Sequence, residues 1–238
     1  MTFNISILNI KESDQKYYRE NNWCLYAFKF CEGRGGNGHV PTWFALNPKD
    51  WSETIEIIYT PSYSVFYSKF KQVDNDTVIR TSTKTSALPL GSKVRLNENN
   101  RLEVLEEGKG IGPINVENNS SAGQVLLGLA GESDAHVDKN TPFAVFDVAE
   151  GNILTMEPIE KVLIVLAALN IQQGCIRSST FAPGVLIDFT KFSHGENPTV
   201  NLRLERSKNG VVAADPSSTG LISDVTSSTA LSVLGPKK

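Results

Sequence analysis

Residues 42–70 read TWFALNPKDWSETIEIIYTPSYSVFYSKF, and their alternation decides the fold class. Ile55, Ile57 and Tyr59 point one way while Thr54, Glu56 and Thr60 point the other. After a break at Pro61, Tyr63, Val65 and Tyr67 repeat the pattern against Ser62, Ser64 and Ser68. A period of two built on β-branched and aromatic residues is the signature of half-buried antiparallel strands. The stretch is expected to supply three of them.

The same reading extends outward. Phe3 to Ile10 alternates and predicts a first strand; Lys11 to Asn22 is charged and polar and predicts a loop or short surface turn. Trp23 to Phe30 is apolar on both faces except at Lys29, which predicts a strand central in a sheet. Val73 to Thr85 predicts an exposed strand. Lys93–Asn97 and Arg101–Leu105 predict a hairpin across Glu98-Asn99-Asn100, with Val94, Leu96, Leu102 and Val104 facing inward. Gly108 to Ser121 is the longest expected loop. Further strands are expected at Gln124–Leu129, Phe143–Val148, Phe181–Phe189, Val200–Glu205 and Val211–Ala213. The segment Ile153–Asn170 admits two readings. Glu157, Pro158 and Glu160 suit a helix start, whereas Val162-Leu163-Ile164-Val165-Leu166 suits a central strand, and the strand is preferred. From Asp215 the chain turns Ser/Thr-rich. The expectation is one all-β domain over residues 1–214, an antiparallel sandwich or flattened barrel of about ten to twelve short strands, followed by a surface tail over residues 215–238.

Composition sets bounds on function. A chain of 238 residues with 40% hydrophobic and 21% charged residues can bury a core without staples. A net charge of −3 without clustered Lys and Arg argues against nucleic acid as a partner. No charged segment followed by an apolar one opens the chain, so no signal peptide is expected and the location is read as cytoplasmic or leaderless. No apolar run approaches the ~20 residues of a membrane-spanning helix. Cys24 and Cys31, on one strand, would stand roughly 20 Å apart at ~3.3 Å per residue, beyond disulfide reach. With Cys175 they read as free thiols, which suits a reducing compartment.

Few residues carry a chemical signal. Gly33-Arg34-Gly35-Gly36-Asn37-Gly38 matches G-x-G-x-x-G, but it leads into Val40-Pro41-Thr42-Trp43, which cannot open the helix that a dinucleotide site requires. It reads instead as a mobile loop, able to form the rim of a ligand site. His39, His136 and His194 show no metal-ligand spacing. The run Glu132-Ser133-Asp134-Ala135-His136-Val137-Asp138 alternates oxygen and nitrogen ligands, making Asp134, His136 and Asp138 weak metal candidates; it lacks the glycine and terminal Glu of a calcium loop. His39 and His194 are weak acid–base candidates. Trp43, Trp51, Tyr63 and Tyr67 offer rings that could stack on a ligand, though strand-period spacing places most of them in the core; Trp51, beside Asp50 and Ser52, is the best exposed candidate.

Several spaced runs resemble the RhiA-like family of small rhizosphere-expressed proteins of bacteria and fungi. They are Trp43-Phe44, Thr60-Pro61-Ser62-Tyr63-Ser64-Val65-Phe66-Tyr67, Leu127-Gly128-Leu129-Ala130-Gly131, Leu154-Thr155-Met156-Glu157-Pro158, and Phe181-Ala182-Pro183-Gly184-Val185-Leu186-Ile187-Asp188. The chain departs from the family at Val162–Leu166, where the family has a Tyr-Trp pair. The resemblance implies an all-β fold and no catalytic residues.

The sequence therefore points to a non-enzymatic binding protein, without a cofactor, that recognises a small apolar or sugar-like ligand or a partner surface through its loops. Trp51, Trp43, Tyr63, Tyr67 and His39 are the expected ligand-binding residues. The alternative is a cofactor-independent lyase or isomerase with His39, His194, Asp188 or Glu157 as acid–base groups. A membrane-acting toxin is a weaker third reading, since no basic amphipathic helix is present. Exposed sheet edges leave a homo-oligomer open.

Overall fold

The computed structural model describes residues 2–69, 73–131, 141–192, 197–215, 220–226 and 231. In chain order the strands are β1 (Phe3–Leu8), β2 (Cys24–Arg34), β3 (Asn37–Pro41), β4 (Phe44–Leu46), β5 (Ile55–Tyr59), β6 (Tyr63–Ser68), β7 (Thr83–Lys84), β8 (Lys93–Leu96) and β9 (Leu102–Glu106). They continue as β10 (Ile114–Asn118), β11 (Val125–Gly131), β12 (Thr141–Val148), β13 (Ile153–Ala167), β14 (Ile176–Arg177), β15 (Gly184–Asp188), β16 (Thr199–Glu205), β17 (Gly210–Ala213) and β18 (Ile222–Val225). One α-helix, α1 (Glu12–Glu20), follows β1.

The strands form three sheets around one main core, an all-β, sandwich-like architecture. The first has the order β17-β16-β1-β5 and the third β14-β3-β12-β11-β6-β7. The second is ordered β18-β15-β13-β10-β8-β9, with β2 along the other edge of β13 and β4 beyond it. Pairing is antiparallel except for β1 with β16 and β10 with β8. The strands are more numerous than periodicity suggests, because two-residue pieces such as β7 and β14 are too short to show one. Apolar side chains from all three sheets meet in the main core, Ile5, Ile57, Val65, Leu127, Phe146, Val162 and Leu202 among them; removing this surface from water is the main force holding the layers together.

Strand β13 resolves the ambiguity at Ile153–Asn170 in favour of a strand. Residues Ile153–Met156 pair with β10 and Lys161–Val165 with β15 on the same edge, leaving residues 157–160 without a partner there. Pro158, which has no N–H to give, falls in that gap.

Several expectations need correction; the expected loop Gly108–Ser121, for one, holds strand β10. Residues Lys11–Asn22 form a helix rather than a loop. Glu12 and Asp14 sit in the first turn and Arg19 in the last, complementing the helix dipole. Asn22 ends it at φ 54°, a left-handed conformation that asparagine tolerates. The helix buries Tyr18 against Trp23 and Trp51, at ring separations of 5.9 and 5.7 Å.

The glycine run is not a mobile loop but a tight corner carrying the chain from the second sheet to the third. A Cβ on Gly33 would lie 2.0 Å from the Phe146 ring, on Gly35 2.1 Å from the Ile153 carbonyl oxygen, and on Gly36 2.6 Å from that of Asp147. Only glycine lets the chain pass this close to β12 and β13.

In the hairpin, β8 and β9 pair as expected, with Val94 opposite Val104 and Leu96 opposite Leu102. Val94 and Leu96 are buried, but Val104 is exposed, on β9, the outermost strand of its sheet. Finally, the Ser/Thr-rich end is not wholly a tail. Its residues Ile222–Val225 add an edge strand to β15, and Leu231 is buried.

Candidate functional site

The third sheet fixes the best candidate. His39 pairs with Val145 across β3 and β12, and Asp147 lies two residues on, so both side chains share a face. His39 Nε2 stands 2.9 Å from Asp147 Oδ2, with the two side chains 25% and 14% exposed. The carboxylate accepts the Nε2 hydrogen in the tautomer assigned from this contact, which turns Nδ1 away from Asp147.

Strand β14 joins the other edge of β3, with Arg177 opposite Val40. The segment Asp74–Ile79 runs along β14, held by Asp76 N–H to the Ile176 carbonyl, Ile176 N–H to the Thr77 carbonyl and Ile79 N–H to the Gly174 carbonyl. Ser178 N–H donates to Asn75 Oδ1 at 3.0 Å. Between these pieces lies a cavity of about 360 Å³ lined by His39, Asp74, Asn75, Arg177 and Ser178, with Val40, Val73 and Ile176 as its apolar wall. Arg177 is anchored by Asp76 at 2.8 Å and by the Phe181 ring at 5.1 Å. Its Nε is buried with no hydrogen-bond partner among the described residues. His39 and Ile176 share one face of the strand pair, whereas Arg177, opposite Val40, sends its side chain to the other face, onto the Phe181 ring. The cavity thus presents an imidazole, an amide, a hydroxyl and a carboxylate beside an apolar face. A larger depression of about 550 Å³, lined by Arg19, Asn22, Cys24, Asn47, Leu169 and Asn170 among others, has no imidazole or carboxylate in its lining. Burial also raises the Cys24 thiol pKa, which keeps it in the unreactive form.

A second cluster is buried in the core. Lys29 is only 2% exposed, and its ammonium lies 3.1 Å from Glu160 Oε2. Its Nζ stands 4.5 Å from the centre of the Tyr59 ring, 5.1 Å from Tyr63, and 5.6 Å from both Trp43 and Phe143. Tyr63 donates a hydrogen bond to Glu160 Oε1, and Tyr59 donates to Oε2 at 3.4 Å. Burial pushes the Lys29 amine below the usual lysine range, opposed by the attraction of Glu160. The same burial, reinforced by Glu160, holds the Tyr59 and Tyr63 phenols well above theirs.

Of the described residues singled out from sequence, His39 lines the polar cavity together with Gly38, the last residue of the glycine run read as a possible rim. Trp51, expected at the surface, is 6% exposed, because the unforeseen helix α1 lies over it and its Nε1 donates to the Leu46 carbonyl. Trp43, Tyr63 and Tyr67 are buried as well, which removes them as platforms for a ligand at the surface; Trp43 and Tyr63 instead wall the Lys29 box. Asp188 is tied to Lys161 at 3.1 Å. Glu157 pairs across the strands with Glu32. Asp134, His136, Asp138 and His194 lie outside the described residues. Among those described, no three His, Cys, Asp or Glu side chains are grouped to hold a metal ion, and no helix is long and apolar enough to cross a membrane. The three cysteines are free.

Asp147, Arg177 and Glu160 escaped the sequence reading. Asp147 and Lys29 did leave a trace, each as the lone charge in an otherwise apolar strand. Arg177 and Glu160 left none, since the first sits on a two-residue strand and the second in an irregularity of pairing. Comparison with protein-family models, with curated proteins and with solved structures finds no match.

Proposed function

We propose that the protein binds a small hydroxyl-rich ligand, of the size and chemistry of a monosaccharide or the end of a glycan, in the cavity between β3, β14 and the Val73–Asn75 segment. The observation that carries this reading is the mixed lining of that cavity. Vicinal hydroxyls both donate and accept, and a lining with a carboxylate, an amide, an imidazole and a hydroxyl offers both roles. The apolar carbons of a sugar ring would lie against Val73 and Ile176. The anionic alternative is weaker, because Asp74 lines the cavity and the Arg177 guanidinium is already paired with Asp76. An apolar ligand is weaker still, because the aromatic rings that would receive it are in the core. A volume of about 360 Å³ falls at the small end of the range for ligand sites.

Saturation-transfer NMR with glucose, galactose, mannose, N-acetylglucosamine and glucuronate tests the reading. At least one is expected to take up magnetisation from the protein, and to lose it in Asp74→Ala. Absence of transfer from all five would overturn it.

The His39–Asp147 pair favours one second reading, a cofactor-independent enzyme. A histidine oriented by a carboxylate through one nitrogen presents the other as a general base. A sugar that binds and is also isomerised or cleaved, with turnover lost in His39→Gln while binding persists, would select this reading over simple binding.

A further inference from the structure

We propose that Lys29 and Glu160 are the two halves of an intramolecular amide cross-link, closed by condensation of the lysine amine with the glutamate carboxyl. Three features of the box support this. The first is proximity: Nζ is already 3.1 Å from a carboxylate oxygen, on two strands that hold both ends in place. Reactions between groups fixed in this way gain the large effective concentrations of an intramolecular encounter. The second is the surroundings. Trp43, Tyr59, Tyr63 and Phe143 enclose the amine, and such desolvation favours the neutral, nucleophilic form of a lysine. The third is the pair of phenols. Tyr63 and Tyr59 donate to the two oxygens of Glu160, where they orient the carboxyl and can stabilise the negative charge that develops on it under attack.

The step balances without any further reagent. The proton shared by the ion pair sits on the carboxyl, leaving a neutral amine and a neutral acid. The nitrogen lone pair attacks the Glu160 carboxyl carbon and forms a C–N bond. The tetrahedral adduct then breaks a C–O bond and, with one proton from nitrogen and the proton of the acid, releases one water. The Glu160 side chain is 19% exposed, so the water has a way out on that side. No substrate has to enter the box, and for this reaction the burial of Lys29 is an advantage. The product is a neutral amide between β2 and β13, in place of two charges in an apolar environment.

The test is the intact mass of the reduced, denatured full chain after incubation in the folded state at mildly alkaline pH. The expected result is a mass one water below that of the sequence, with a branched peptide joining Lys29 to Glu160 after digestion. Lys29→Met is expected to keep its full mass, and Tyr63→Phe to lose water more slowly. A wild-type chain that retains its full mass overturns the proposal. So does a lost water that maps elsewhere, for example to a succinimide formed at an aspartate.

Discussion

Glu160 meets Lys29 where β13 carries two more residues than β2, between the pairs Ile159–Phe30 and Val162–Lys29. An insertion of two leaves the alternation of faces intact, so Glu160 stays on the main-core face with Met156 and Val162, as Lys29 does with Ala27 and Cys31. Alternation gives the face of Glu160, but the extra residues hide from the sequence which residue of β2 it meets.

Removing Glu160 should therefore cost far more than removing an ordinary half-buried carboxylate. Glu160→Ala leaves the Lys29 ammonium, 2% exposed, among aromatic rings without its counter-charge. A loss of about 3–5 kcal/mol is expected. The double variant Lys29→Met/Glu160→Ala should regain much of that loss, because the uncompensated charge goes with it. Denaturant unfolding of the two variants measures the difference, and equal stabilities would contradict the argument.

Gly35 sits at φ 96°, and a Cβ there would meet the Ile153 carbonyl oxygen at 2.1 Å. Gly35→Ala combines left-handed strain with a backbone clash, and a loss above about 1 kcal/mol is expected. The corner also aims β3, so weaker sugar binding through His39 should accompany the lost stability. A variant as stable as the parent would show that the corner has room to move.

Thiol chemistry offers a check on the core. Burial raises the thiol pKa of Cys31, Cys175 and Cys24, which keeps all three from the reactive thiolate form. In the folded protein Cys31 and Cys175 are expected to resist alkylation at neutral pH, with half-buried Cys24 reacting first. All three should react at once in denaturant. Fast labelling of Cys31 in the native state would mean that the Lys29 box opens.

The strands were legible where one face is buried and the other is not, as at Ile55–Tyr59 and Tyr63–Ser68, since alternation then records the environment directly. The helix was not, because Glu12–Glu20 buries chiefly Tyr18, and one apolar contact leaves no period. Trp51 was misplaced for the same reason, as its polar neighbours say nothing about a helix arriving from elsewhere in the chain. The glycine run was visible, but its meaning was inverted: close packing and looseness both call for glycine, and only the neighbouring backbones tell them apart. At the cavity, His39 was found by residue type alone. Asp147, Asn75 and Arg177 join it through pairings between distant segments, which no local pattern encodes.

The tyrosines set the alkaline limit of stability. Burial raises the phenol pKa of Tyr59 and Tyr63 well above the ordinary value, and that of Tyr18 to about 12. For groups whose folded pKa is raised, the stabilisation is fully present below the unfolded value of about 10 and is lost as pH rises beyond it, since the unfolded chain releases protons that the folded chain retains. Lys29, while its amine is free, acts in the opposite sense. Its folded pKa is lowered, so the penalty on the folded state is fully present below that value and is relieved as pH climbs toward the unfolded value of about 10.4. Stability should therefore hold or rise slightly through the mildly alkaline range and fall steeply above about pH 10. Tyr63→Phe should make that fall shallower, because one of the protons held only by the folded state is gone. Urea unfolding across this range, with phenolate absorbance followed in parallel, reads both effects. Buried phenols that ionise at the ordinary tyrosine value in the still-folded protein would show that the box admits water.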